Sequence, residues 1–280
     1  MRCLFCKQDS SNTKSVEHII PESLGNKTLI LPRGYVCDKC NNYFAIKVEK
    51  PFMELPEIRQ LRFQELIPNK KNKIPQMEAL YNGKFPAKLG GKVKNDDIIR
   101  YIDTTDEAIN ELIKRKEGFF VFPAFTNETI IQNSSIVSRL LAKMALESLA
   151  NTLKSLPGSL DELVDSKEFD PIRNHARKGT TPVWPCSIRR IYDMNNFTRR
   201  ENGEWEQIIH ESDFLVLDKG GEGEMKYITL YFVVSLWGME FTINMAGPEI
   251  DEYNNWVKEH DDLSPLYAEK ILNNKKVSYG

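Results

Sequence analysis

The placing of the cysteines constrains this chain more than any other feature. Four of the five fall into two Cys-x-x-Cys pairs, Cys3/Cys6 and Cys37/Cys40, separated by 30 residues. Residues 1–50 are short on long apolar periodicities and rich in turn formers, so a hydrophobic core alone does not hold them together. Four thiolates are the ligand set of a closed, tetrahedral Zn²⁺, and the loop between the pairs is long enough to fold back on itself. In a reducing compartment this spacing reads as a metal site rather than two disulfides. A four-thiolate zinc leaves no position for water, so the metal would be structural and any chemistry must lie elsewhere. Cys186, alone beside Trp184 and Ile188, reads as a small buried apolar residue.

With 280 residues, 41% of them hydrophobic, the chain can bury sizeable cores, which excludes collagen-like and disordered classes. The net charge of -2 excludes a basic protein that coats nucleic acid along its whole surface. The total hides an asymmetry: residues 1–100 hold 18 Lys/Arg against 11 Asp/Glu, and residues 101–280 hold 20 against 29. A basic first third points to an anionic partner for that part. No apolar run reaches the roughly 18 residues of a membrane span, and the N-terminus does not read as a targeting segment, so a cytoplasmic, soluble protein with no membrane partner is expected.

The expected fold class is α+β, a small zinc module followed by a larger domain in which a core helix packs on an antiparallel sheet. The divisions are expected at residues 1–50, 51–100 and 101–280. Residues 51–66 read as helical, with Pro56 breaking or starting the helix. Residues 68–100, with seven lysines and three glycines, read as short strands and loops, a linker or small sheet. Ser134 and Ser135 are candidate N-caps of a helix running to about Lys154, whose Val137, Leu140, Leu141, Met144, Ala145 and Leu149 repeat at helical spacing. Pro157-Gly158 stops it. Phe214–Leu217, Tyr227–Trp237 and Glu240–Met245 read as consecutive strands, joined by a Gly220-Gly221-Glu222-Gly223 hairpin loop and a tight turn at Gly238.

Between the cysteine pairs lies Glu17-His18-Ile19-Ile20-Pro21-Glu22-Ser23-Leu24-Gly25-Asn26, and Asn41-Asn42-Tyr43-Phe44 follows Cys40 directly. This text resembles the HNH endonucleases, the zinc-supported ββα-metal nucleases. Their pattern is an acidic residue and His before Ile-x-Pro, a small or Gly-rich turn, then Cys-x-x-Cys followed at once by His or Asn, and the likeness spans about residues 3–45. It implies a general base at His18, a single Mg²⁺ or Mn²⁺ ion held by Glu17 and Asn41, and cleavage leaving a 5′-phosphate and a 3′-hydroxyl. Physical chemistry suits these roles. His18 is the first and only histidine before His175, and an imidazole titrating near neutrality can take a proton from water. A carboxylate and an amide oxygen are hard ligands for an ion that keeps several waters.

Each role has a structural alternative. His18 can be a fold residue, Glu17 a solvated charge, and Asn41 the N-cap of a helix that begins there. The likeness departs from its pattern twice. The Asn that many members carry shortly before the second cysteine pair is missing from Leu31-Pro32-Arg33-Gly34, with Asn26 a substitute, and the basic residue often found three positions after the post-cysteine Asn is Phe44 here. Arg33 and Lys39 become the candidate phosphate contacts, and Glu22 an additional candidate ligand.

In the second half, Asp170–Gly179 clusters Arg173, His175, Arg177 and Lys178, which read either as phosphate ligands or as a helix end with Gly179 as its cap. Arg173 and Arg177 are the candidate DNA contacts, while His210 and His260 read as surface residues. Residues 101–280 stand as a surface for substrate selection, self-association or a regulatory protein. The expected function is hydrolysis of DNA phosphodiester bonds. The alternatives are a zinc module that binds nucleic acid without cutting it, and a zinc-stabilised protein-interaction module.

Overall fold

A computed structural model describes residues 1–95, 97–179, 183–199, 203–218 and 228–267. Chain contacts divide it into two compact units, Met1–Ile19 with Thr28–Glu49 and Ile131–Gly280, and Ile20–Lys27 with Lys50–Ile130. The N-terminal part of the first unit is a two-stranded antiparallel ribbon, β1 (Glu17–His18) with β2 (Ile30–Leu31), followed by helix α1 (Asp38–Phe44). A π-helical turn, Ala45–Glu49, continues α1. Phe44 is fully buried edge-on to Phe5, ring centroids 4.4 Å apart, so it is a core anchor for the knuckle.

After its Ile20–Lys27 segment, the second unit continues with α2 (Lys50–Met53) and α3 (Pro56–Gln64). Pro56 sits at the first helical position, where its missing N–H costs nothing, so it starts the second helix and separates it from the first. Then come β3 (Lys73–Tyr81), β4 (Phe85–Lys94), β5 (Asp97–Thr104), α4 (Asp106–Arg115) and β6 (Phe120–Val121), in the sheet order β5-β4-β3-β6. The stretch expected as short strands and loops is therefore one long antiparallel sheet, and the division expected at residue 100 falls inside β5. A register shift between Ile74 and Met77 breaks the alternation that would have marked β3 as a long strand.

The first unit resumes with α5 (Ser135–Leu153), α6 (Ser159–Asp165) and α7 (Asp170–Lys178), then β7 (Cys186–Arg190), β8 (Phe197–Arg199) and β9 (Trp205–Gln207). It closes with β10 (His210–Asp218), β11 (Ile228–Leu236), β12 (Met239–Asn244) and α8 (Asp251–Glu259). The main sheet runs β10-β11-β12-β7, all antiparallel, the α+β arrangement expected. Helix α5 starts where its sequence places it, the Ser134 hydroxyl accepting the Val137 N–H at 3.4 Å. Every residue of β12 is buried, and the α5 stripe of Leu140, Leu141, Met144 and Ala145 is core. The tight turn after β11 needs Gly238 twice over: its φ is +75°, and a Cβ there would stand 2.0 Å from the Tyr192 carbonyl oxygen. The Gly220–Gly223 loop lies outside the described residues. Among the described residues no helix is long and apolar enough to cross a membrane.

Candidate active site

The cysteines converge as their spacing implies. Sγ atoms of Cys3, Cys6, Cys37 and Cys40 all lie within 4.8 Å of one another, with Cys6 and Cys37 at 3.6 Å. Four sulfurs each about 2.3 Å from one tetrahedral Zn²⁺ would stand about 3.8 Å apart, so the cluster could hold zinc with little adjustment. Backbone amides support it: Cys37 N–H donates to Cys3 Sγ at 3.3 Å and Cys40 N–H to Cys37 Sγ at 3.4 Å. The Cys3 thiol, which accepts a hydrogen bond from the Cys40 thiol, is pushed down to about 4, and the same contact with burial pushes Cys40 up. All five cysteines are free. Cys186 is buried, which pushes its thiol up to about 12, and its Sγ lies 3.0 Å from Asn133 Oδ1, the inert role expected of it.

The ribbon and α1 bring the Glu17-His18 pair and Asn41 together. Cys37, not Asn41, caps α1, so Asn41 sits inside the helix and the capping alternative falls away. Its Nδ2 donates to the Val16 carbonyl at 3.1 Å, laying the post-cysteine Asn against the strand of the acidic-His pair, and among the described residues Oδ1 makes no hydrogen bond. Adjacent residues of a strand point to opposite faces. Glu17 points inward, 6% exposed, while His18 is half-buried and its ring makes no hydrogen bond among the described residues. The ribbon is extended by Ile19 N–H donating to Leu29 O at 3.1 Å. Within the second unit, buried Asn26 donates to the Ile20 carbonyl at 2.6 Å, bracing the turn that follows the Glu-His pair. Glu22 is exposed.

Glu17 is not the solvated charge of its structural alternative. Its Oε1 lies 2.6 Å from Nζ of Lys143, a fully buried lysine of α5 that also meets Glu49 Oε1 at 3.1 Å, Glu147 Oε2 at 2.9 Å and the His18 carbonyl at 3.2 Å. Burial pushes the Glu17 and Glu147 carboxyls up, while the surrounding carboxylates outweigh burial and push Lys143 up. The sequence reading missed Lys143. The signal was there: Arg139, Lys143 and Glu147 are the only charged residues of α5 and recur every fourth position, a single stripe. Arg139 donates to the Tyr43 hydroxyl at 3.0 Å, so two members of that stripe meet the segment carrying Glu17, His18 and Asn41.

The expected phosphate contacts divide. Arg33 and Lys39 are exposed, and Arg177, half-buried, lines with Lys39, Tyr43, Lys47 and Lys178 a cleft of about 410 Å³. Arg173 is a correction. It is 2% exposed, its guanidinium donating to the Leu4 carbonyl at 2.7 Å, to the Leu163 carbonyl at 2.9 Å and to Asp170, so it is a brace beneath the first cysteine knuckle and does not reach solvent. His175 is buried beside it on α7, its Nε2 3.0 Å from Ser138 Oγ, and burial with Arg139 nearby pushes its imidazole down to about 4. Gly179 does cap that helix, at φ +68°. His210 and His260 are half-buried rather than free on the surface, His260 stacking on Trp256 at 4.0 Å.

Residues 3–55 match the family model described as HNH endonuclease. No curated protein and no solved structure matches the chain.

Proposed function

We propose that the chain is a metal-dependent endonuclease that hydrolyses phosphodiester bonds of DNA in the cytoplasm, with the zinc knuckle ordering its active site. The observation that carries this is the Asn41–Val16 hydrogen bond, which joins the residue after the second cysteine pair to the strand bearing Glu17 and His18. His18 serves as the base. Its half-exposed imidazole takes a proton from water, the hydroxide oxygen bonds to phosphorus, the bond from phosphorus to the 3′-oxygen breaks, and that oxygen is protonated to give a 3′-hydroxyl and a 5′-phosphate. The donor set fits a Mg²⁺ or Mn²⁺ ion: Asn41 Oδ1 and the second oxygen of Glu17 make no hydrogen bonds among the described residues, and both are hard oxygens. Such an ion, when bound, stabilises charge on the leaving oxygen. The basic cleft of Lys39, Lys47, Arg177 and Lys178 supplies sequence-independent contacts to the phosphate backbone.

A plasmid-nicking assay with Mg²⁺ or Mn²⁺ tests the proposal. His18→Ala should lower the rate by about 10²–10⁴-fold, the contribution of a positioned base, with DNA affinity kept. The basic cleft alone would also suit a zinc module that binds DNA without cutting it. That second reading is the correct one if wild type and His18→Ala retain DNA equally and neither nicks it.

A further inference from the structure

We propose that Lys143 is a positioning residue of the nuclease centre, so that the site is completed by the long helix of the second half of the chain. The inference rests on the nuclease reading above. Lys143 Nζ lies within hydrogen-bond reach of the Glu17 carboxylate at 2.6 Å and the His18 carbonyl at 3.2 Å, one on the side chain and one on the backbone of two consecutive residues. A two-residue strand has too few ladder bonds to fix its own twist, and β1 pairs with β2 through only Glu17↔Leu31 and His18↔Ile30. The ammonium adds the missing constraint. With Glu17 Oε1 and the His18 carbonyl both held by one ammonium, the backbone of β1 is fixed at both residues, and the starting point of the His18 side chain with it.

The contacts are built to hold Lys143 in one place. Its three N–H protons serve four oxygens, with Glu49 and Glu147 closing the shell, and the side chain has no exposed surface. Among the described residues Glu147 Oε1 is buried with no hydrogen-bond partner, so the ammonium is the one cation seen to pair with this carboxylate. Removing the ammonium leaves buried carboxylates facing one another, and the expected response is that Glu17 swings out and carries β1 with it. An ångström of displacement at the base is enough to cost about 10²-fold in rate.

The test uses the full chain with Lys143→Met, which keeps the stem and removes the charge. Plasmid nicking should lose about 10²-fold in kcat with KM for DNA changed less than about threefold, and zinc should stay at one per chain. In protein labelled only in its histidine rings, the His18 cross-peak should move while those of His210 and His260 stay. Glu240→Gln, which unpairs the buried Glu240–Arg189 contact in the sheet, is the control for general destabilisation and should move neither kcat nor the His18 signal. Should Lys143→Met alone fail to fold, Lys143→Met with Glu147→Gln removes one unpaired carboxylate and is measured in its place. Nicking within threefold of wild type, or a fall in kcat with an unmoved His18 cross-peak, overturns the proposal. If wild type does not nick at all, the nuclease reading fails, while the ring signal still decides whether Lys143 sets the position of His18.

Discussion

At one end of the N-terminal segment, four sulfurs from two short turns lie within 4.8 Å of one another, while at the other a single ammonium reaches the Glu17-His18 strand from 125 residues further along the chain. The first draws all four of its sulfurs from the segment itself. The second is borrowed from α5, a helix whose Lys143 and Glu147 are buried rather than solvated. The four candidate zinc ligands thus lie close together in the N-terminal segment, with Arg173 bracing Leu4 between the first two, whereas the strand of the proposed base is tied to a residue of the long helix. The two ends should fail differently, which separates what the metal does from what the remote helix does.

Breaking the knuckle should have the largest effect. A structural zinc in a segment that cannot fold alone contributes on the order of 10 kcal/mol at neutral pH, and almost nothing replaces it. Cys37→Ser removes one thiolate while its hydroxyl can still accept the Cys40 N–H at the N-cap of α1, so the expected loss of zinc, of the α1 fold and of nicking is owed to the missing ligand and not to the cap. The β10-β11-β12-β7 sheet should survive, giving a protein whose near-UV spectrum from Trp184 and Trp237 is kept while metal analysis reads no zinc. Loss of the sheet signal along with the zinc would mean that the knuckle supports the whole unit.

A smaller effect is expected from pH, and it belongs to the α5 end. His175 is fully buried against Ser138 of α5, and its imidazole is held down to about 4 from an ordinary value of 6.5, chiefly by burial. The unfolded chain then binds the proton more readily than the native one. The stability that neutral His175 contributes is present above pH 6.5 and is lost as pH falls toward 4. The full span is about 3 kcal/mol. Urea midpoints measured across that range should fall with acid, and His175→Gln should flatten the dependence. An unchanged slope in the variant would place the acid sensitivity elsewhere.

What the sequence reveals follows the same division. The gathering of the four cysteines is legible because its meaning lies in short spacings. The α5 core stripe and its Ser134 cap are legible because periodicity and capping are local. Lys143 and Glu147 are harder to read: with Arg139 they form a stripe on an otherwise uncharged helix, yet a Lys and a Glu four apart look like an ordinary surface pair, and only tertiary packing turns that face inward. Arg173 misleads for the same reason: a cation with two others near a helix end reads as a free charge, and its burial is decided by Leu4 and Leu163, residues distant in the chain or on another helix. The lysine-rich stretch hides β3 and β4 because a bulge and a glycine pair, Gly90-Gly91, interrupt the alternation on which strand reading depends.

The smallest expected effect sharpens the comparison at the DNA surface. If the basic cleft beside the second knuckle meets phosphates, Lys39 and Arg177 each release condensed counterions on binding, and neutralising both should flatten the slope of log affinity against log salt by about two units. The rate at saturating DNA should change little, because neither side chain is one of the reacting groups proposed at Glu17, His18 and Asn41. Lys70, Lys71 and Lys73, all exposed in the second unit, form the competing surface, worth up to about three units if all touch phosphate. Arg173→Ala separates a charge effect from a structural one. A buried guanidinium cannot contribute counterion release, so this variant should keep the wild-type salt slope while lowering stability and loosening the first cysteine turn, read as faster zinc loss to a chelator. If Lys39 and Arg177 leave the slope unchanged and the three lysines flatten it, the DNA is gripped by the β3–β5 unit, and the cleft beside the zinc serves some other purpose.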